Sequence, residues 1–240
     1  MYKNIVVVNS ITQRALKVGA VTDYGFAKGM NSCIILGQEF LEAAKYFPIV
    51  FAKSDETITP VVILGIRHNL LVSIQDKWEP EMYIPAFIRR YPYILVEDLL
   101  QDGSLTVCID TDYAGFNREE GERLFTDEGE NTPVLNNVIE FLRLYQAQFE
   151  ATKVFTSSIK DLNIFKVVDA NITLQGGDSY AFRNFLMVDE EAMYKLADDT
   201  IVRLVRLGYM PWIYAHLYSI TNFSRILNRA GNVVKEDEKR

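Results

Sequence analysis

Three runs of β-branched and aliphatic residues lie close together between residues 49 and 74, and their spacing restricts the fold more than any other feature of the sequence. The runs read IVFAK, VVILGI and LLVSI, and they are separated by SDETITP and RHN. Parallel strands need crossover connections of about a dozen residues or more, so connections this short favour antiparallel pairing. The sequence therefore predicts an antiparallel meander of three strands.

Further strands are predicted on both sides of a long acidic stretch. LTVCID follows the turn signal QDG and predicts a fourth strand. Residues 111–133 are acidic and contain glycine, which is typical of a long surface excursion. Residues 169–174 and 180–188 predict two more strands around the turn QGGDS, where glycine tolerates the left-handed backbone of a tight hairpin.

Helices are predicted where apolar residues recur at helical spacing between start and stop signals. The first covers GQEFLEAAKYF and is ended by Pro48, which cannot continue a helix. The second begins at Thr132 and Pro133, a capping hydroxyl followed by proline at the first helical position. Its apolar stripe consists of Leu135, Val138, Ile139, Leu142 and Tyr145.

Two more helices are predicted near the C-terminus. Asp189 is a candidate N-cap, followed by a helix that ends near Gly208, and Pro211 opens the last one. The apolar face of the first of these two helices is predicted to carry Met193, Leu196, Ala197, Ile201, Leu204 and Val205. That of the last helix is predicted to carry Ile213, Leu217, Ile220 and Leu227.

Runs of strands followed by runs of helices predict an α+β fold, with helices packed on an antiparallel sheet and a C-terminal helical hairpin. No stretch has the composition of an interdomain linker, so residues 1–240 are interpreted as a single domain with a charged tail at 232–240. A chain of 240 residues is long enough to form a real core.

The charge balance and the N-terminus exclude several classes of protein. The net charge of -7 disfavours nucleic acid as a partner, because phosphate binding requires clustered lysine and arginine. No apolar run approaches the roughly 20 residues of a membrane-spanning helix. The first residues, MYKNIVVVNS, lack the apolar core of a signal peptide. We therefore expect a cytoplasmic protein without a membrane span, with signal-independent export as the open alternative.

Catalytic and cofactor motifs are not found in the sequence. It contains no phosphate-binding glycine loop, no dinucleotide fingerprint, no nucleophile elbow and no HExxH pair. His68 and His216 are the only histidines, too few for a zinc or iron site, so we predict no metal, no cofactor and no assigned catalytic residue. His216 could meet Cys108 or Ser219 as a nucleophile pair, but a partly buried, hydrogen-bonded histidine is the favoured interpretation.

The most unusual stretch is YIPAFIRRYPYIL, where two adjacent arginines lie in an aromatic and aliphatic run. A buried guanidinium without a partner is costly, and neighbouring residues point in different directions in a strand or a helix. Arg89 and Arg90 therefore need different partners. We expect one to face solvent or to stack on a neighbouring tyrosine, and the other to pair with an internal acid such as Glu97 or Asp110. A ligand-binding arginine is the alternative.

The chain resembles the bacterial SapC family, named from a protein of surface-layer loci, from about Tyr46 to Leu227. The resemblance rests on short blocks in a specific order: YFPIVFAK, LGI to NLL followed by Trp78, YIPAFIRRYPYIL, LTVCID, GERLFTDEG, VDEE and IYAHLYSITNF. It implies a compact bacterial protein of surface-layer loci or, in other genomes, of loci whose products modify peptides or aromatic rings. It implies no particular reaction.

Our leading hypothesis is an accessory or binding protein that holds a protein partner or a small ligand. The candidate binding residues are Trp78, Tyr83, Arg89, Arg90, Tyr91 and His216, because aromatic residues and arginine are enriched at binding hot spots. One alternative is an enzyme for a peptide or small acidic substrate, in which Arg90 holds a carboxylate and His216 is the acid or base. Another is a structural subunit of the surface layer. The sequence predicts no particular oligomeric state.

Overall fold

The computed structural model describes residues 1–97, 105–117, 119–173 and 179–237. In chain order the strands are β1 (Ile5–Val7), β2 (Lys17–Val18), β3 (Ser32–Ile34), β4 (Ile49–Ser54), β5 (Thr57–Ile63), β6 (Tyr93–Glu97), β7 (Leu105–Asp110), β8 (Phe116–Asn117), β9 (Glu122–Arg123), β10 (Phe165–Thr173) and β11 (Ser179–Val188). The helices are α1 (Phe40–Ala43), α2 (Ala86–Arg89), α3 (Pro133–Asp161), α4 (Glu190–Tyr194), α5 (Asp198–Arg206), α6 (Tyr209–Ser219) and α7 (Phe223–Asp237).

The chain divides into two compact units, each built from two separate segments. Unit 1 comprises Met1–Ala27 and Ala86–Ala147, and unit 2 comprises Lys28–Pro85 and Gln148–Arg240. The boundary at Ala147 falls inside α3. The interpretation of residues 1–240 as a single domain stays a prediction.

Unit 1 contains two three-stranded antiparallel sheets and the first half of α3. One sheet has the order β1-β7-β6, and the other has the order β8-β2-β9. Pro133 begins α3 as predicted, and the Thr132 hydroxyl lies 3.5 Å from the amide nitrogen of Leu135. The buried core of this unit is formed by Tyr93, Ile109, Leu124, Phe125, Leu135 and Leu142. Leu124 and Phe125 belong to residues 111–133, so the predicted surface excursion is wrong there: this stretch supplies core side chains and two short strands.

Unit 2 contains a five-stranded antiparallel sheet in the order β10-β11-β4-β5-β3. The β4–β5 hairpin closes at Ser54 opposite Thr57, as the short spacing of these runs predicts. LLVSI does not form the predicted third strand. Its Leu71 and Val72 are buried, but Val72 makes only an isolated bridge to Trp78, and β3 takes the place beside β5.

The α+β prediction is confirmed, with antiparallel sheets, packed helices and a helical C-terminal region. LTVCID forms β7 but pairs with β1 and β6 rather than with the meander. The segment between Asp189 and Gly208 contains two helices, α4 and α5, instead of one. Gly208 ends α5 with φ of 73°, the left-handed conformation expected after a helix. Val205, predicted to face the core, is 58% exposed. The turn QGGDS lies outside the described residues except for Ser179.

Candidate functional site

The two arginines are separated by the geometry of a single helical turn. Arg89 is the last residue of α2, and the amide of Arg90 donates to the carbonyl of Ala86 at 3.0 Å, which completes that turn. Consecutive helical residues point about 100° apart, so the two side chains diverge. Arg89 is exposed, with its guanidinium carbon 5.6 Å from the centre of the Phe141 ring, whereas Arg90 is half-buried. The expectation that they have different surroundings is met.

Arg90 lies among aromatic rings. Its guanidinium carbon is 4.3 Å from the ring centre of Phe87, 4.9 Å from that of Tyr145 and 5.9 Å from that of Tyr2. A guanidinium over an aromatic face is attracted by the ring, with an energy of about 0.5 to 2 kcal/mol depending on exposure. Burial raises the pKa of Tyr2 to about 12, while the charge of Arg90 opposes that shift. Tyr2 therefore stays neutral beside the cation.

Asp110 is fully buried, and its carboxylate is held by backbone amides. The amides of Lys3 and Asn4 donate to its two oxygens at 2.9 and 3.0 Å, and the amide of Asp112 donates at 3.2 Å. Burial, followed by the charge and hydrogen bond of this carboxylate, raises the pKa of Tyr91 to about 12. Asp110 thus accepts hydrogen bonds from backbone amides, and Arg90 packs against aromatic rings, where an ion pair between an arginine and Asp110 was one expectation.

The arginines line a cleft of about 400 Å³ on unit 1, which we call the arginine cleft. It is lined by Val18, Gly19, Ala20, Val21, Arg89, Arg90, Tyr91, Pro92, Tyr93, Glu122, Val134, Asn137, Val138 and Phe141. Most of these side chains are apolar. A concave, mainly apolar surface with a few converging polar groups is typical of a small-molecule site.

Two buried polar atoms at the arginine cleft lack a partner. Among the described side chains, Nε of Arg90 and the hydroxyl oxygen of Tyr93 are buried without a hydrogen bond. Tyr93 is only 8% exposed, and its ring packs edge-on against Phe116 with the ring centres 6.0 Å apart. Burial also raises the pKa of Tyr93, so its hydroxyl is neutral and able to donate. Buried polar groups without partners are uncommon in native proteins and indicate a special role.

A second cavity of about 320 Å³ on unit 1 shares Tyr91 with the arginine cleft. Its charged lining residues are Lys3, Asp23 and Asp112. Asp23 accepts a hydrogen bond from the amide of Gly25 at 2.8 Å, so part of its carboxylate stabilises the local turn. Because charges of both signs line this cavity, it indicates no single ligand charge.

A protein-family model described as SapC matches residues 8–226. This chain belongs to the SapC family. The match begins well before Tyr46, where the sequence resemblance was expected to start. Searches of curated proteins and of solved structures each returned no significant match. Among the described residues, no helix is both long enough and apolar enough to cross a bilayer.

Two candidate residues in unit 2 have structural contacts in this SapC-family chain. Trp78 is buried, and its indole nitrogen donates to the carbonyl of Met82 at 3.1 Å. The Tyr83 hydroxyl donates to the buried carboxylate of Glu39 at 2.6 Å, and the same carboxylate accepts from the amide of Leu36 at 3.1 Å. These contacts hold the chain before α1 and the segment around residues 78–83 in one arrangement.

His216 lies in α6 with no exposed surface and connects two strands. The amide of Val188 at the end of β11 donates to its Nε2 at 3.1 Å, and its Nδ1 lies 2.8 Å from the carbonyl of Ile49 at the start of β4. Nδ1 must therefore carry the proton. Burial lowers the pKa of His216 to about 4, against the opposing effect of the Ile49 carbonyl. It is a neutral residue that holds the sheet to α6, without access for a substrate.

The six predicted candidates therefore fall into two groups. Arg89, Arg90 and Tyr91 line one cleft in unit 1, whereas Trp78, Tyr83 and His216 are engaged inside unit 2. Sequence reasoning missed the importance of Tyr93, and it missed Tyr2, Phe141 and Tyr145 as the rings around the arginines. Only Tyr145 gave a signal, through its place on the apolar stripe of α3.

Proposed function

We propose that this SapC-family protein is an accessory binding protein that uses the arginine cleft of unit 1 to hold a ligand or partner. The observation that carries the proposal is the pair of guanidiniums at an apolar cleft together with two buried polar atoms that lack partners in the part of the chain that the structure describes. Aromatic residues and arginine dominate binding hot spots, and a buried unpaired donor favours a ligand that can accept from it.

The alternative of acid–base catalysis loses support from the contacts of His216. Both ring nitrogens are engaged with backbone groups, and the side chain has no exposed surface. A general base must reach the proton that it abstracts, directly or through one water molecule. The binding hypothesis needs no such residue.

We further propose a cytoplasmic accessory role at surface-layer or peptide-modification loci, on the basis of family membership alone. Fractionation of the natural host with a specific antibody tests this part. We expect the protein in the cytoplasmic fraction, and recovery in the surface-layer fraction would contradict the proposal.

The binding proposal is tested by replacing each arginine singly, Arg89→Met and Arg90→Met. Both variants and a matched control, Arg143→Met, are immobilised and exposed to extract of the natural host, and the retained proteins and metabolites are identified by mass spectrometry. Arg143 is an exposed arginine of α3 in unit 1 that does not line the cleft. We expect both cleft variants to lose a component that the wild type and the control retain.

Melting temperatures separate binding from folding in this experiment. Arg90→Met removes the ring contacts, at about 1 kcal/mol or a fall of roughly 2 to 4 °C. Because Arg89 is exposed, we expect a smaller fall in the melting temperature of Arg89→Met. The proposal is rejected if Arg90→Met loses the component only because it is unfolded, while the folded Arg89→Met protein retains it. So would unchanged retention by both variants.

A further inference from the structure

The charges along the arginine cleft select for a ligand with one negative charge. Its charged lining residues are two arginines and one glutamate, Glu122, which is exposed. Counted over the lining side chains alone, positive charges exceed negative ones by one. A monoanion neutralises that excess, whereas a dianion would meet the repulsion of the Glu122 carboxylate, because like charges across an interface disfavour binding.

The walls of the cleft select for an apolar body next to that charge. Val18, Val21, Val134, Val138 and Phe141 all contribute to the lining. The volume of about 400 Å³ lies in the range of roughly 300 to 1,000 Å³ that small-molecule pockets occupy. A bare inorganic anion would leave this apolar surface uncovered and would gain nothing from it.

The surroundings of Arg90 favour a planar acceptor. Rings lie over its guanidinium at 4.3 and 4.9 Å, and its N–H groups all lie in the guanidinium plane, where one of them also bonds the Tyr2 hydroxyl. The plane carries Nε, which has no partner among the described residues. A carboxylate matches the in-plane donors of a guanidinium with two parallel hydrogen bonds. Because Nε is covered, the surrounding side chains must shift slightly for a ligand to engage it.

We propose, on the basis of the binding function proposed above, that the arginine cleft recognises a monocarboxylate attached to an apolar body. The carboxylate lies against the in-plane donors of Arg90 with Arg89 at its outer side, and the body lies against the valines and Phe141. Two sources offer this chemistry: a free small acid, and the C-terminal apolar residue of a peptide.

Five probes test the ligand class by isothermal titration calorimetry on the full chain. They are 3-phenylpropanoate and its uncharged amide, N-acetyl-glycyl-glycyl-phenylalanine and its C-terminal amide, and inorganic phosphate. We expect the carboxylates to bind and their amides to bind at least about ten-fold more weakly, the factor that corresponds to loss of one charged contact. The source is the small acid if 3-phenylpropanoate binds more tightly, and the peptide terminus if the tripeptide does.

Variants assign the binding to the cleft. Arg90→Lys keeps the charge but removes the planar donor pair, and we expect it and Arg89→Met to weaken carboxylate binding about ten-fold or more. Arg143→Met is expected to bind as the wild type does. In ¹⁵N-edited spectra, the Nε–H resonance that Arg90→Lys removes is expected to shift when 3-phenylpropanoate is added and to stay in place with the amide.

Three results would overturn the ligand class. Equal binding of acid and amide would show that the charge is not recognised, and tighter binding of phosphate would show that the apolar body is not recognised. The third is the failure of every probe to bind while Arg89→Met still loses the retained host component, which would reject the monocarboxylate and leave the binding function standing. Retention unchanged in both arginine variants would instead reject the binding function itself.

Discussion

Each unit has a polar side chain among apolar neighbours, His216 fully buried in unit 2 and Arg90 half-buried in unit 1, and the two differ in how many of their polar atoms have hydrogen-bond partners. His216 of unit 2 uses both ring nitrogens on backbone groups. Arg90 of unit 1 lies among rings and leaves Nε without a partner in the described part of the chain, close in sequence to the unpaired hydroxyl of Tyr93. A fully satisfied buried network specifies a structure, whereas a partly satisfied one indicates where a ligand could contribute.

The contacts around Ile49 show how complete the network of unit 2 is. Its carbonyl lies 2.8 Å from Nδ1 of His216, and its amide donates to the Ser219 hydroxyl oxygen at 2.9 Å. The Ser219 hydroxyl in turn donates to the carbonyl of His216 at 2.6 Å. Both backbone groups at the start of β4 are thus bound by side chains of α6, and α6 is fixed on the sheet.

The largest effect is expected from His216→Ala. The change leaves the carbonyl of Ile49 and the amide of Val188 unpaired and opens a cavity, so we expect the free energy of unfolding to fall by about 3 to 5 kcal/mol. Urea denaturation at about pH 7.5 measures it. Tyr218→Ala on the same helix is the control, because Tyr218 is 67% exposed. Similar small losses in both variants would mean that His216 does not hold the sheet.

The second expected effect is that the free energy of unfolding depends on pH through the titration of His216. The pKa of His216 is about 4 in the folded protein and near 6.5 when unfolded, so below pH 6.5 the unfolded state binds the proton first. Stability is therefore present above the unfolded pKa and is lost as the pH falls towards 4, by about 2 kcal/mol at pH 5.

His216→Gln isolates this contribution, because carboxylates that titrate in both proteins cancel in the difference. We expect the gap in unfolding free energy between the wild type and His216→Gln to be widest near pH 7.5 and to narrow by about 2 kcal/mol at pH 5. Urea denaturation at both pH values provides the measurement. A gap that stays constant would show that His216 titrates alike in the folded and unfolded states.

The smallest expected effect compares one tyrosine hydroxyl in each unit. Tyr83→Phe removes a hydrogen bond to the buried carboxylate of Glu39 and is expected to cost about 1.5 kcal/mol. Tyr93→Phe removes a hydroxyl that has no partner among the described residues, so we expect stability to stay within about 0.5 kcal/mol or to rise. Thermal and urea denaturation of the pair check this. A loss in Tyr93→Phe as large as that in Tyr83→Phe would place a stabilising partner on the Tyr93 hydroxyl.

Local signals predicted much of the secondary structure. The cap and proline at Thr132 and Pro133 mark the start of α3, and the short spacing of two apolar runs predicts the β4–β5 hairpin. Such features depend only on nearby residues and so can be found in the sequence. The prediction of a strand at LLVSI was wrong because Leu71 and Val72 are buried in an irregular segment. A short apolar run has the same sequence pattern whether it is a buried strand or a buried irregular segment.

The surroundings of the arginines could be predicted only in part. Adjacency alone shows that Arg89 and Arg90 point apart, whichever secondary structure they adopt. The rings of Tyr2 and Tyr145, however, come from positions far from Arg90 in the sequence. A single amino-acid sequence contains no local pattern that indicates such long-range contacts. Asp110, one of the two acids named as possible partners of an arginine, is engaged by the amides of Lys3 and Asn4 instead.

The two-segment construction of each unit also sets an order for synthesis on the ribosome. Every residue of unit 1 is available for folding once Ala147 has left the ribosome, so the arginine cleft can assemble at that stage. The β4–β5 hairpin of unit 2 is made earlier, but its neighbour β11 and its helical anchor His216 follow more than a hundred residues later. Because domains fold as their residues emerge, unit 1 can be complete on the nascent chain before unit 2. At that stage β4 can pair with β5, but β11, its other neighbour, has not been synthesised.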